Sequence, residues 1–267
     1  MKFDLFISDF DWTLGCAPDV IDEETVKVIK EYEKKGGKFC IATGRSYSSI
    51  KDICGKYGLK CIVACFQGAK IADLATNETL FEGGLDYKLA AKIAGEIEQD
   101  GVPVIAWVDD VLYYSVDSYY SDMYKNTEKV YYRRVKNVAK EVLKTARPVA
   151  KVCAVCEDGK TEELTARYAA KYGDLCTVNS GSKRLIEAIN PAYGKDFAVR
   201  FIAEKLGVAA DKIIAAGDST NDLEMSGKEW YFAAVGDAVE SLKENADEVT
   251  VPFNLNPVKV LLEKYCL

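Results

Sequence analysis

The sequence predicts a doubly wound α/β core, assembled from both ends of the chain around a central α+β insert. Three observations carry this. Apolar strand-like runs alternate with helical periods near the start of the chain. The same alternation resumes toward its end. Between them the pattern changes to a hairpin and mixed elements.

The elements follow in order. Phe3 to Ser8 reads as a buried strand that stops at Asp9. Asp22 to Lys35 reads as a helix, with Val26, Ile29 and Tyr32 at helical spacing and Gly36-Gly37 closing it. Lys38 to Ala42 is a second strand, ending at Thr43-Gly44-Arg45, and Ser46 to Tyr57 a second helix stopped by Gly58. Cys61 to Cys65 is a third strand. This order argues a parallel sheet with helices on its faces. Later in the chain, Asp196 to Leu206 reads as a helix stopped by Gly207. Lys212 to Ala216 is a strand ending at Gly217-Asp218, and Trp230 to Ala234 another. Asn256 to Lys264 is a closing helix with Pro257 in its first turn.

The insert is expected over residues 84–189, leaving a core of residues 1–83 and 190–267. Within it, a helix from Tyr87 to Glu98 precedes two strands, Val102 to Val108 and Val111 to Ser115, which Asp109-Asp110 joins as a hairpin. Further strands are expected near Val149 to Cys156, Leu175 to Val178 and Leu185 to Ile189. No internal repeat or low-complexity segment interrupts the pattern.

Composition narrows the function. A chain of 267 residues can bury a core without disulfides or metals. The formal net charge of -7, with no basic tail, gives nucleic acid no electrostatic foothold. No apolar run is long enough to span a bilayer, and the first residues lead straight into an acid-bearing strand. No signal peptide and a cytoplasmic location are therefore expected. Histidine is absent, so acid–base chemistry falls to carboxylates, Lys, Tyr or Cys. Cys40, Cys61, Cys65 and Cys176 sit in apolar runs and read as buried thiols of a reducing compartment. Cys153 and Cys156 lie in one strand-like run, three apart, and should point to opposite faces rather than converge on a metal.

The chemistry gathers at strand ends. Asp9, Thr43 and Asp218 each terminate a predicted strand, and the carboxyl ends of a parallel sheet share one edge. Asp222 follows Asp218 by four residues. An oxygen-rich group of this kind suits a hard cation, Mg²⁺ first. Lys195 offers a point charge, and Thr43 with the amides after Asp9 can donate to phosphoryl oxygens. Plainer readings stand beside these: turn acids for Asp9, Asp11, Asp218 and Asp222, a helix cap for Thr43, a surface lysine for Lys195.

Taken together, the motifs resemble those of the haloacid dehalogenase-like (HAD) hydrolases. Asp9-Phe10-Asp11-Trp12-Thr13 matches D-x-D-x-T, and Ala42-Thr43-Gly44-Arg45 matches a strand-end threonine in T-G-R form. Lys195 matches the lysine motif, and Gly217-Asp218-Ser219-Thr220-Asn221-Asp222 matches G-D-x-x-N-D. The placement and mixed character of the insert resemble the type IIB cap of the Cof-type sugar-phosphatase branch. The resemblance implies a Rossmann-like core and an Mg²⁺-dependent phosphatase that acts on small phosphate monoesters, sugar phosphates above all, or on phosphorylated cofactors. It implies Asp9 as nucleophile forming an aspartyl-phosphate, and Asp11 as general acid and base. Asp9, the Asp11 carbonyl, Asp218 and Asp222 would hold Mg²⁺, with Asn221 supporting them. Thr43, Gly44 and Lys195 would hold the phosphoryl group. A sugar phosphomutase using the same aspartates, and a non-catalytic phospholigand-binding protein, remain the alternatives.

Several residues depart from the family pattern. Trp12 replaces the commonest glycine, Gln67-Gly68-Ala69 replaces N-G-A, and Asp196 replaces the glycine after the lysine. Val235-Gly236-Asp237-Ala238 replaces M-x-N-A, and Pro257-Val258 a late Gly-Val. In the insert, the tyrosines from Tyr113 to Tyr132 read as packing more than sugar stacking, and Arg133-Arg134 as a solvated basic face. Glu187 and Asn190 are candidates for substrate hydroxyls.

Overall fold

Eight strands line up in the first of two units as Glu248–Val249, Tyr231–Ala234, Ile213–Gly217, Leu5–Ser8, Lys38–Ala42, Ile62–Cys65, Lys70–Asp73 and Glu78–Glu82. The structure is a computed structural model that describes residues 1–16, 20–126, 128, 130–157 and 159–267. It divides into Met1–Phe81 with Gly194–Leu267, and Glu82–Tyr193.

In the first unit the six strands from Glu248–Val249 to Ile62–Cys65 are parallel. From the central Leu5–Ser8 strand the chain builds outward on one side, then returns to build on the other. That reversal is the topological switch point at which such sheets bind ligands. Leu5, Phe6 and Ile7 have no exposed surface, as a strand covered on both faces requires. One part of the sheet was not expected to differ in direction: Lys70–Asp73 runs antiparallel to Ile62–Cys65. The run is short and ends in a charge, so it lacks the apolar signature of a buried parallel strand.

The helices start where their caps dictate. Asp22 accepts a hydrogen bond from the Thr25 amide and opens Glu23–Lys34. Ser46 accepts from the Ser49 amide and opens Tyr47–Tyr57, so Ser46 and not Thr43 is that helix's cap. Lys195–Leu206 begins one residue before the expected Asp196, which makes Lys195 its first residue. No helix among the described residues is long and apolar enough to cross a membrane.

The second unit holds a six-stranded sheet in the order Tyr131–Arg134, Val111–Tyr114, Val104–Val108, Val149–Val155, Leu185–Ile189 and Thr177–Ser182. Asp109 and Asp110 both have left-handed φ, 55° and 64°, as a tight two-residue hairpin turn demands. Val104, Ala106, Val108, Val152, Ala154, Ile186 and Ala188 pack in one cluster with Ile93, Ile97, Val138 and Val142 from the helices Tyr87–Gln99 and Val138–Thr145. Cys156 joins that cluster, whereas Cys153 lies beside Glu187. The strand expected at Leu175 to Val178 is displaced to Thr177–Ser182. Leu175 and Cys176 instead donate their amides to the Tyr172 carbonyl and close the Thr161–Tyr172 helix.

The two compact units divide at Phe81/Glu82 and Tyr193/Gly194. Both connections are tied into the second unit: Asn190 Nδ2 donates to the Gly84 carbonyl at 2.7 Å, and the Tyr193 amide donates to the Asn190 carbonyl.

Candidate active site

The site is built at the carboxyl end of the central strand. Asp9 follows Ser8 and is fixed through its amide, which donates to the Ala216 carbonyl of the neighbouring strand at 2.9 Å. Its side chain meets Lys195, whose ammonium lies 2.6 Å from Asp9 Oδ1 and 2.6 Å from Asp222 Oδ1. Lys195 is 0% exposed, so it is not the surface lysine that its place at a helix start also allowed. Burial alone would lower its pKa, but Asp222 and Asp9 overcome this and raise it, so the ammonium is held charged.

Asp222 belongs to the 3-10 turn Thr220–Met225 and shares a capping box with Ser219. Its Oδ2 accepts from the amides of Asp218 and Ser219, each at 3.0 Å. Glycine precedes Asp218 for a steric reason: a Cβ on Gly217 would overlap the Asp222 carboxyl. Asp218 accepts from the Thr13 hydroxyl at 3.1 Å.

Asp9, Asp218 and Asp222 thus come together, with ligand oxygens within 4.8 Å of one another. Burial pushes the Asp9 carboxyl well above the ordinary range; Lys195 opposes this, while Asp222 and Asp218 add to it. Burial, then the Asp222 charge, pushes Asp218 up to about 6. Three carboxylates facing one ammonium leave a formal excess of two negative charges. A single divalent cation would cancel that excess, and three carboxylate oxygens are the donors a hard cation takes. Asn221 Oδ1, next in the chain to Asp222, is buried with no hydrogen-bond partner among the described residues, as expected of an acceptor left for a cation or its water. The residues therefore fit Mg²⁺.

Asp11 is placed apart from that cluster. Both its oxygens accept from Arg45, Oδ2 from Nε at 2.9 Å and Oδ1 from Nη2 at 2.7 Å. The guanidinium also lies over the Phe10 ring, 4.7 Å from its centroid. Thr43 is buried, and its hydroxyl accepts from the Arg45 amide at 3.2 Å. Its carbonyl accepts from the Gln67 amide. Gly44 is tight against the Gln67 side chain, whose Nε2 would lie 2.8 Å from a Cβ there. Gln67 Oε1 is buried without a hydrogen-bond partner among the described residues.

Three departures from the family pattern acquire physical meaning. Trp12 has φ 58°, the left-handed region that favours glycine; its ring is 57% exposed and meets Phe253 edge-on at 5.4 Å. Gln67 is also left-handed, at φ 58°. Asp196 occupies the first turn of its helix, where a negative charge is favoured. The sequence reading gave no role to Thr13, Arg45, Gln67 or Glu224. Thr13 and Arg45 stand inside matched motifs and Gln67 in a departure from one, so the signal was present; nothing in the letters marked Glu224.

The fold defines the class first: a doubly wound α/β enzyme core with its acids at the strand carboxyl ends. The family model described as haloacid dehalogenase-like hydrolase matches residues 6–261, and the chain belongs to that family. A Haemophilus influenzae protein named "Putative phosphatase" is 25% identical over 268 residues, covering 99% of this chain and 98% of that one. A crystal structure from Thermotoga maritima has a TM-score of 0.87 at 25% identity, covering 98% of this chain and 97% of that one. A protein described as a HAD subclass IIB sugar phosphatase has a TM-score of 0.80 at 18% identity over 98% of both chains, which shows the shared fold.

Proposed function

We propose that the protein is an Mg²⁺-dependent phosphatase of small phosphate monoesters, with sugar phosphates as the leading substrates. The observation that carries this is the buried Lys195 bound to both Asp9 and Asp222, beside an acidic cluster with two negative charges in excess. The sugar-phosphatase neighbour supports the substrate class.

In this reading Asp9 attacks phosphorus and forms an aspartyl-phosphate. Asp11 gives a proton to the departing alcohol and then takes one from the hydrolytic water. Arg45 orients both Asp11 oxygens, and each keeps a lone pair for the proton it would handle. Lys195 orients Asp9, and with Thr43 and the Gly44 amide it holds the phosphoryl oxygens. Asp9, Asp218, Asp222 and the Asp11 carbonyl would hold Mg²⁺, with Asn221 behind them. When bound, the cation supplies charge neutralisation for an anionic substrate. The insert, residues 84–189 in the sequence reading, selects the leaving group. Nine free cysteines, eight of them buried, support a reducing compartment and hence the cytoplasm.

The test is phosphate release from a panel of sugar and cofactor phosphates, with and without Mg²⁺, beside Asp9→Asn. Metal-dependent release that vanishes in the variant is expected. Undiminished release from Asp9→Asn would remove the nucleophile assignment. No release from any ester, with Mg²⁺ bound, would turn the assignment toward a mutase or a binding protein.

A further inference from the structure

Lys195 is held at both ends by one short turn. Asp222 takes its ammonium at 2.6 Å. Two residues further along the same turn, Glu224 Oε2 accepts from the Lys195 backbone amide, also at 2.6 Å. That amide is one of the donors that a helix leaves unpaired at its start.

The helix's cap residue is Gly194, which has no side chain to accept a hydrogen bond. Its backbone does not call for glycine: φ is -153° and ψ -178°, an extended conformation open to any residue. The reason for glycine lies in space. A Cβ on Gly194 would overlap the Glu224 carboxylate. A local cap accepts from the second or third helical amide, so the first, that of Lys195, is left for a carboxylate from another segment. A serine or aspartate at 194 would cap locally, but would displace Glu224. Gly194 and Glu224 therefore form one device.

We propose that Glu224 is a positioning residue for Lys195, acting as a cap supplied from the Thr220–Met225 turn and made possible by Gly194. Its role in catalysis rests on the phosphatase reading; its role in fixing Lys195 does not. With the backbone amide and the ammonium fixed from one rigid turn, the long lysine side chain is anchored at its root as well as its tip. A charge-assisted bond to a helix amide is among the stronger hydrogen bonds available. Displacing a catalytic charge by a fraction of an ångström to an ångström is costly in rate.

The test uses Glu224→Ala, Glu224→Gln, Gly194→Ala and the double variant Gly194→Ala/Glu224→Ala. The probe is p-nitrophenyl phosphate with Mg²⁺, and amide exchange at Lys195 is followed by NMR. Glu224→Ala should lower kcat about tenfold, or ~1.4 kcal/mol of barrier, with KM changed less than about threefold, and should speed Lys195 amide exchange at least about tenfold. Glu224→Gln keeps an acceptor oxygen and should recover most of both. Gly194→Ala should reproduce the Glu224→Ala defect, and the double variant should be no worse than either single one. Full kcat and a protected amide in Glu224→Ala would overturn the proposal, as would additive effects in the double variant. If Glu224→Ala fails to fold, the comparison of Gly194→Ala with Glu224→Gln decides, since the proposal requires the first to be impaired and the second not. A wild-type protein that turns over no ester, yet shows Glu224-dependent amide protection, would fail the phosphatase reading alone.

Discussion

Arg45 grips both carboxylate oxygens of Asp11, at 2.9 and 2.7 Å, from a guanidinium stacked over Phe10. The residue proposed to move protons is thus oriented by a guanidinium, while each of its oxygens keeps a lone pair for a proton. A planar fork can hold a carboxylate in this way and an ammonium cannot.

Arg45→Lys should therefore loosen Asp11 while keeping the charge. The expected outcome is a fall in kcat of about tenfold to a hundredfold, short of the roughly 10²–10⁴-fold that general acid–base catalysis contributes, because Asp11 itself remains. Measuring kcat from pH 5 to 9 for both proteins checks this; superimposable profiles would refute it.

Lys195→Met should do more harm than an ordinary core substitution. It fits the volume but leaves Asp9 and Asp222 buried without their cation. Breaking such a pair costs about 3–5 kcal/mol. Urea unfolding in the absence of Mg²⁺ should show the loss, and Asp9→Asn in the Lys195→Met background should restore part of it.

The acidic cluster predicts a linked dependence on pH and metal. Burial and neighbouring charge raise the pKa of Asp9, and that of Asp218 to about 6. A carboxyl with a raised folded pKa stabilises the fold fully below its unfolded value near 4, and that contribution is lost as pH rises through the folded value. The metal-free protein should therefore lose stability as pH rises above about 4, through about pH 6 for Asp218, with Asp9 contributing in the same direction. Mg²⁺ binds the ionised form, so its increment in Tm should be larger at pH 8 than at pH 5. Equal increments at the two pH values would contradict the ligand assignment.

Trp12→Gly should be nearly neutral in stability, although it deletes the largest side chain. The left-handed backbone costs a non-glycine residue roughly 1–2 kcal/mol. The edge contact with Phe253 is worth roughly 0.5–1.5 kcal/mol. The two offset, and urea unfolding should find a net change within about 1 kcal/mol.

The strand ends at Asp9, Thr43 and Asp218 were legible because each closes a short apolar run, and a parallel sheet leaves such ends little choice of edge. Lys195 was legible as a motif letter but not as a buried cation, because burial depends on two acids that arrive from distant segments. The antiparallel strand Lys70–Asp73 escaped notice because its few residues carry no period. Arg45 as partner of Asp11, and Glu224 as partner of Lys195, are relations between segments rather than properties of either. Side-chain reach in three dimensions decides them.

The order in which the core sheet is assembled has a consequence for synthesis. Leu5–Ser8 is central, yet one of its two neighbours is Ile213–Gly217. A chain emerging from the ribosome completes the whole Glu82–Tyr193 unit before that neighbour exists. Until then the strand carries an open edge and Asp9 lacks its lysine, a state prone to association with other chains. The second unit, which supplies all six strands of its own sheet, can fold during the wait. Production of the protein should thus be limited by how well the early segment is kept apart, and coexpression with a chaperone that shields strand edges is the condition to favour.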